Sequence, residues 1–337
     1  MIKLLRNALR PACYHGRGKK PPFFEGWYFK LVDACEQHSA AVIPGIFLAE
    51  NPADAYAFVQ VLDGNANRLT FHRFSADDFA ARDDVFDIRI GENHFSTTRI
   101  RLNIDDAKAR VRGELNFGDA VPWPVTLKSP GIMGWYAWMP FMECYHGVVS
   151  MDHRIEGVLE IDGRGMDFNG GRGYTEKDWG QSFPAAWIWI QCNHFTAPGS
   201  SFTASVAIIP WIGRSFPGFI IGLWHRQKLY RFATYTGARI RELAVNEKEV
   251  NWVVEDRRRR LEIRIERPKT PAALLHAPSI KGMDRRIEER LNAALHVRLS
   301  AGQEIIFDET GRHAGLEVVG DIDRLLGMWK AEGGSGS

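Results

Sequence analysis

Ala55-Tyr56-Ala57-Phe58-Val59-Gln60-Val61-Leu62 runs into Asp63-Gly64, and Arg68-Leu69-Thr70-Phe71-His72-Arg73-Phe74 follows. Two runs rich in aromatic and β-branched residues, joined through Asp-Gly, predict an antiparallel hairpin. Working outward, Phe86–Ile90, Phe95–Ile104 and Ala109–Phe117 continue the series with turn residues between them. The second half repeats the style in Ala186–Asn193, Phe202–Ile209, Phe219–His225, Leu229–Tyr235, Glu249–Glu255 and Leu261–Glu266. Short strands at regular intervals predict an all-β chain of antiparallel sandwiches or barrels. Only Met283–Ala294 reads as a helix, with Ile287, Leu291 and Ala294 at helical spacing and Arg285, Arg286, Glu288 and Glu289 facing out.

At 337 residues the chain is long enough for two domains. A weak internal echo marks them: Glu25-Gly26-Trp27-Tyr28 opens the first series of strands and Lys177-Asp178-Trp179-Gly180 the second. The expected division is a β domain over residues 1–150, a second over 151–331, and an appended Gly/Ser linker over 332–337. Lipocalin-type barrels also begin with a Gly and a Trp. Closing a barrel end is therefore the structural role to weigh for Trp27 and Trp179 against a role in a site.

A net charge of +2 lacks the basic excess of a nucleic-acid binder. The dense run Arg257–Arg260 lies between two strand-like segments and reads as a solvated turn. Cys13, Cys35, Cys144 and Cys192 show neither a C-x-x-C pair nor zinc spacing, which fits a reducing compartment. The longest apolar stretch, Phe202–Trp224, is broken by Pro210, Arg214 and Pro217, so no membrane span is expected. Met1–Arg6, with its mixed Leu and Arg, reads as a frayed tail, or else as a contact with a membrane surface. The expected address is the cytoplasm, with peripheral membrane contact as the alternative. No P-loop, dinucleotide fingerprint, G-x-S-x-G elbow or H-E-x-x-H is present, so no cofactor and no metal is expected.

Three segments go beyond generic β sequence. They are Phe23-Phe24-Glu25-Gly26-Trp27-Tyr28-Phe29-Lys30, Pro140–His153 with Glu143-Cys144-Tyr145-His146, and Gly173-Tyr174-Thr175-Glu176-Lys177-Asp178-Trp179-Gly180 running on to Trp187-Ile188-Trp189-Ile190-Gln191-Cys192-Asn193. In this order they resemble the tocopherol cyclase family, whose plant members close the chromanol ring of vitamin E. The resemblance extends from about residue 20 to about residue 330. Plant members tend to carry Asn where this chain has Asp178, which adds a titratable group. The resemblance implies two lipocalin/calycin-like antiparallel barrels and a cofactor-independent cyclase. The implied partner is an apolar small molecule, a prenylated quinol or similar.

Closing a chroman ring needs an acid to protonate an alkene, aromatic faces to stabilise the cation, groups that orient the hydroquinone, and a dry cavity. On a strand over Ala186–Asn193, Trp187, Trp189, Gln191 and Asn193 share one face. Two Trp and two amides make poor plain core, because a buried amide without a partner costs roughly 1–3 kcal/mol. A polar-aromatic pocket explains them, and a network of structural hydrogen bonds is the alternative. Glu176 and Asp178 lie just before this strand and are the first candidates for the proton donor. A partly apolar mouth would raise their pKa, and only one of the two is expected to face inward. The bland alternative is a surface turn or an ion pair with Lys177.

His146 and Asp152 stand next as candidate acids. Alternation places Cys144, His146, Val148, Ser150 and Asp152 on one face, with Glu143, Tyr145 and His153 on the other. Glu25, Trp27, Tyr28, Glu143, Tyr174 and Trp179 complete the candidate substrate-binding set. For Glu25 the alternative is a buried structural ion pair. Two rival functions remain at this point: a lipocalin-like carrier, which needs no acid in its cavity, and a hydratase, which admits water to the same cation.

Overall fold

The computed structural model describes residues 7–269 and 271–331. The expectations for Met1–Arg6 and for the linker 332–337 lie outside the described residues. The chain is mostly β and forms two antiparallel sheets in two compact units. The first unit holds the described residues up to Phe183 together with Ala273–Ile287, and the second holds Pro184–Ala272 with the described residues from Glu288 onward.

Sheet one contains β1 (Phe23–Val32), β2 (Ser39–Leu48), β3 (Tyr56–Asp63), β4 (Arg68–Ser75), β5 (Phe79–Ala81) and β6 (Asp87–Ile90). It continues with β7 (Asn93–Ser96), β8 (Arg99–Asp105), β9 (Arg110–Gly118), β10 (Cys144–Ile161), β11 (Arg164–Asp167) and β12 (Gly171–Gly180). Their order is β4-β3-β2-β1-β12-β10-β9-β8-β7-β6-β5, with β11 paired to β10. Ala57, Val59 and Val61 of β3 meet Ile88 and Ile90 of β6 in one apolar cluster with Trp27, Phe29 and Phe95, so the sheet curls round its own core. The Asp-Gly hairpin forms as expected, its Cα partners running from Tyr56–Ser75 to Asp63–Arg68.

Sheet two contains β13 (Ala186–Cys192), β14 (Ser201–Trp211), β15 (Arg214–His225), β16 (Lys228–Ala233) and β17 (Arg239–Val245). It continues with β18 (Glu249–Glu255), β19 (Arg260–Glu266), β20 (Ala273–Ser279), β21 (Gly282–Ala301) and β22 (Glu304–Gly320). The order is β16-β15-β14-β13-β22-β21-β19-β18-β17, with β20 paired to β21. Ile188 and Ile190 of β13 pack with Trp252, Leu295 and Val297, and Leu325 and Trp329 of the C-terminal helix Ile322–Ala331 join them. Arg257–Arg260 is the turn between β18 and β19, where Asp256 accepts the backbone N–H groups of Arg258 and Arg259. No helix among the described residues is long and apolar enough to cross a membrane.

Three expectations are corrected. The helix expected over Met283–Ala294 is part of β21, in which Ile287, Glu289, Leu291, Ala293 and Leu295 are buried at every second position. Phe95–Ile104 is two strands, because the Ser96 hydroxyl accepts the N–H of Thr98 and of Arg99 and turns the chain there. The units part at Phe183/Pro184, not near residue 150. A cut at 150 would sever β10, and β12 pairs with β1 at the centre of sheet one. The echo between Glu25-Gly26-Trp27 and Lys177-Asp178-Trp179 therefore joins two neighbouring strands of one sheet, with Glu25 opposite Trp179 and Trp27 opposite Lys177.

The excursion Ala273–Ile287 is built into the first unit. Met283 completes an apolar cluster with Phe24, Phe47 and Phe58. The Gln60 amide exchanges two 2.9 Å hydrogen bonds with the His276 backbone, and the Tyr56 hydroxyl accepts the Met283 N–H at 3.0 Å.

Candidate active site

Three adjacent strands of the first unit set the site. Along β12, Tyr28 of β1 lies opposite Glu176, Gly26 opposite Asp178 and Lys30 opposite Tyr174. From the other side, His146 of β10 lies opposite Asp178 and Val148 opposite Glu176. Directly paired residues of an antiparallel ladder point to the same side, so Tyr28, Lys30, His146, Tyr174, Glu176 and Asp178 share one face. The expectation that only one of Glu176 and Asp178 turns inward is thereby corrected, since residues two apart on a strand face the same way.

The side chains on this face form a chain of hydrogen bonds. The Tyr174 hydroxyl donates to Glu176 Oε2 at 2.6 Å, and His146 Nδ1 lies 2.9 Å from Asp178 Oδ1. His146 Nε2 stands 3.6 Å from the same Glu176 oxygen. Tyr174 is fully buried, and the Glu176 side chain is 6% exposed against 23% for Asp178. The Asp178 carboxylate makes Nδ1 the protonated nitrogen and turns Nε2 toward Glu176. Two carboxylates flanking one imidazole form a path along which a proton can pass. Cys144 at the start of β10 stays a thiol, because burial first, and the Asp178 and Glu143 charges second, push its pKa well up.

Ligand atoms of His146, Glu176 and Asp178 lie within 4.8 Å of one another, close enough to meet at one cation. Each imidazole nitrogen instead faces a different carboxylate, whereas a metal takes one nitrogen and gathers the oxygens around itself. The donor set thus suits a proton better than an ion.

The other face of these strands is structural. Glu25 and Lys177 form a fully buried ion pair at 2.5 Å. Lys177 Nζ also donates to the carbonyls of Pro11 and Cys13 and to His15 Nδ1, and it lies 4.9 and 4.5 Å from the Trp27 and Trp179 rings. His15 donates its backbone N–H to both Glu25 oxygens. Burial, then the Lys177 charge, keeps its ring neutral. Trp27 stacks on Phe86 at 5.2 Å, and its indole N–H donates to Ala12. Trp179 stacks on Tyr145 at 5.4 Å. Lys177 therefore pairs with Glu25, not with the carboxylates on either side of it in the chain.

Other candidates are held elsewhere. Arg172 grips Asp152 with two hydrogen bonds of 3.1 and 2.5 Å. Bulges between Val148 and Ser150 and between Ser150 and His153 break the alternation that put Asp152 beside His146. Glu143 accepts the Ser182 hydroxyl at 2.8 Å, and burial lifts its pKa. In the second unit, Trp187, Trp189, Gln191 and Asn193 are all buried, and none belongs to that unit's apolar core, which takes Ile188, Ile190 and Cys192. The Trp187 indole donates to Glu317 at 2.6 Å. No motif in the sequence marks the buried roles of Lys30, His15 and Glu317. A lone lysine inside the apolar run of β1 was the one available signal.

The fold defines a class of paired β-sheet proteins. The solved structure of CghA has a TM-score of 0.53 at 10% identity, covering 89% of each chain. Kievitone hydratase from Nectria haematococca has a TM-score of 0.50 at 12% identity, covering 93% of this chain and 95% of its own. A likeness at such identities is one of fold. By sequence, the chain belongs to the tocopherol cyclase-like family, whose model matches residues 105–320. It is 24% identical over 372 residues to the probable chloroplastic tocopherol cyclase of Oryza sativa subsp. japonica, spanning 91% of this chain and 77% of that one. It is 25% identical over 383 residues to the chloroplastic tocopherol cyclase of Zea mays, with the same shares.

Proposed function

We propose that the protein is a cofactor-independent intramolecular cyclase that closes a chroman-type ring on a prenylated hydroquinone. The observation that carries this reading is the Tyr174–Glu176–His146–Asp178 chain on one buried strand face. A carrier of an apolar ligand has no use for such a cluster. In this scheme Glu176 delivers the proton to the alkene and leaves a tertiary cation. His146, its proton held on Nδ1 by Asp178, presents an unprotonated Nε2 that takes up the phenolic proton as the ring closes and passes it to Glu176. The Tyr174 hydroxyl stabilises the carboxylate that remains. The phenolic oxygen then closes on the cation and its proton returns to the cluster, so the reaction is an isomerisation without change of redox state. Tyr28, opposite Glu176 on the same strand face of the first unit, is the ring proposed to face the cation.

Incubation with prenylated hydroquinones in deuterated, ¹⁸O-labelled water tests this. Cyclisation puts one solvent deuterium and no solvent oxygen into a chroman. An alcohol carrying ¹⁸O would make the protein a hydratase, and tight binding without turnover would make it a carrier.

A further inference from the structure

From Ala120 to Met142 the chain carries no carboxylate and a single charge, Lys128. The same stretch holds Trp123, Trp135, Tyr136, Trp138 and Phe141, and it spans the connection from β9 to β10 in the first unit. Leu127 is 66% exposed, Phe141 52% and Trp135 41%, although residues of this kind are ordinarily buried. The loop is ordered by its own hydrogen bonds and a ring stack. The Trp138 indole donates to the Leu127 carbonyl at 3.2 Å, and Trp135 and Tyr136 stack at 4.1 Å. Thr126 and Ser129 bond to each other across the turn that presents Leu127 and Lys128.

We propose that the Leu127–Phe141 loop docks on the surface of a lipid bilayer with anionic headgroups. An exposed apolar patch marks an interaction site, and Trp and Tyr suit the headgroup layer, where one end is apolar and the other wet. A folded protein partner is recognised through directional polar contacts, and this surface has few to give, since the Trp138 N–H and the Thr126 hydroxyl are already bonded within the loop. A bilayer requires none. The charge fits as well, because Lys128, the one charged residue of the stretch, is exposed.

The loop also touches the acid cluster's strand: the His146 N–H donates to Met133 Sδ at 3.2 Å, and the Tyr145 hydroxyl donates to the Met139 carbonyl. Docking would hold that strand at the edge of the phase in which a prenylated quinol dissolves. This last point rests on the proposed function, while the docking itself does not.

The test is co-sedimentation of the whole chain, without substrate, with phosphatidylcholine vesicles and with vesicles that also contain phosphatidylglycerol. The expected result is stronger binding to the anionic vesicles, weakened by salt. The L127D/F141D double variant should keep its melting temperature and lose binding at least about tenfold, and Lys128→Glu should lie between. Wild-type protein that stays in the supernatant, or a double variant that binds undiminished, overturns the proposal. A dimer seen by ultracentrifugation without vesicles and abolished by the double variant also overturns it, by giving the patch to a second copy of the chain. Cyclase activity enters none of these readouts, so failure here is distinct from failure of the proposed reaction.

Discussion

Lys177 separates Glu176 from Asp178 in the chain, yet it points to the opposite face of β12 and closes on Glu25 at 2.5 Å. The pair anchors the segment Pro11–His15 against the interior of the first unit, while the flanking carboxylates meet His146 on the far side. Removing one member of a fully buried pair strands the other charge, at a cost of about 3–5 kcal/mol. Lys177→Met should therefore lower the unfolding free energy by that amount, read as a lower urea midpoint at unchanged slope, and pairing it with Glu25→Met should recover much of the loss.

Within the acid cluster the predicted effects are graded. Glu176→Gln removes the proposed donor and should cost about 10²–10⁴-fold in turnover while ligand affinity and melting temperature stay close to wild type. Asp178→Asn and Tyr174→Phe leave the donor in place and should cost less. Single-turnover rates of the three variants on a confirmed substrate check the order, and a Glu176→Gln protein with full turnover removes the mechanism.

His153 gives a pH signature unrelated to activity. Burial, then the Arg172 charge, lowers its pKa to about 3, while an unfolded histidine titrates near about 6.5. Between those values the unfolded chain holds the extra proton. Stability from this group is complete above about pH 6.5 and drains away as pH falls toward 3, at up to about 1.4 kcal/mol per pH unit. Denaturant titrations from pH 7 to 4 should show a shallower slope in His153→Gln than in wild type.

In the second unit, Gly315 lies against Trp189. A Cβ there would sit 2.7 Å from the indole Cζ3 and 2.9 Å from Cη2. Gly315→Ala should push the ring from its place on the Trp187–Asn193 face, cost about 1–3 kcal/mol, and shift the tryptophan emission. If that face contacts substrate, KM should rise more than kcat falls.

Much of the fold was legible because its signal is local. Asp63-Gly64, the alternation of Tyr56–Asp63 and the run Glu249–Glu255 announce strands without help from distant residues. The mistaken helix has a local cause too: Glu289 occupies an inward position of β21 and is 1% exposed, so a charge sits where period two asks for an apolar residue, and Arg285–Arg290 then reads as a helix surface. The carboxylates and the Trp-rich face could be chosen by residue type. Their grouping could not, because His146 meets Asp178 and Glu25 meets Lys177 only through the pairing of β12 with β10 and β1. Which face each side chain took also depended on bulges in β10 that no periodicity announces.

The excursion Ala273–Ile287 sets the order in which the molecule can be made. A nascent chain that has reached Phe183 carries every strand of sheet one, but the socket of Phe24, Phe47 and Phe58 stays open until Met283 arrives. The ribosome must synthesise the whole of Pro184–Ala272 before it delivers the piece that finishes what it began. The first unit thus ripens near the end of translation. A gene cut at 183/184 yields a fragment with a sticky aromatic hollow, whereas a permuted gene that splices residues 273–287 directly after 183 is the one from which that half could be produced alone.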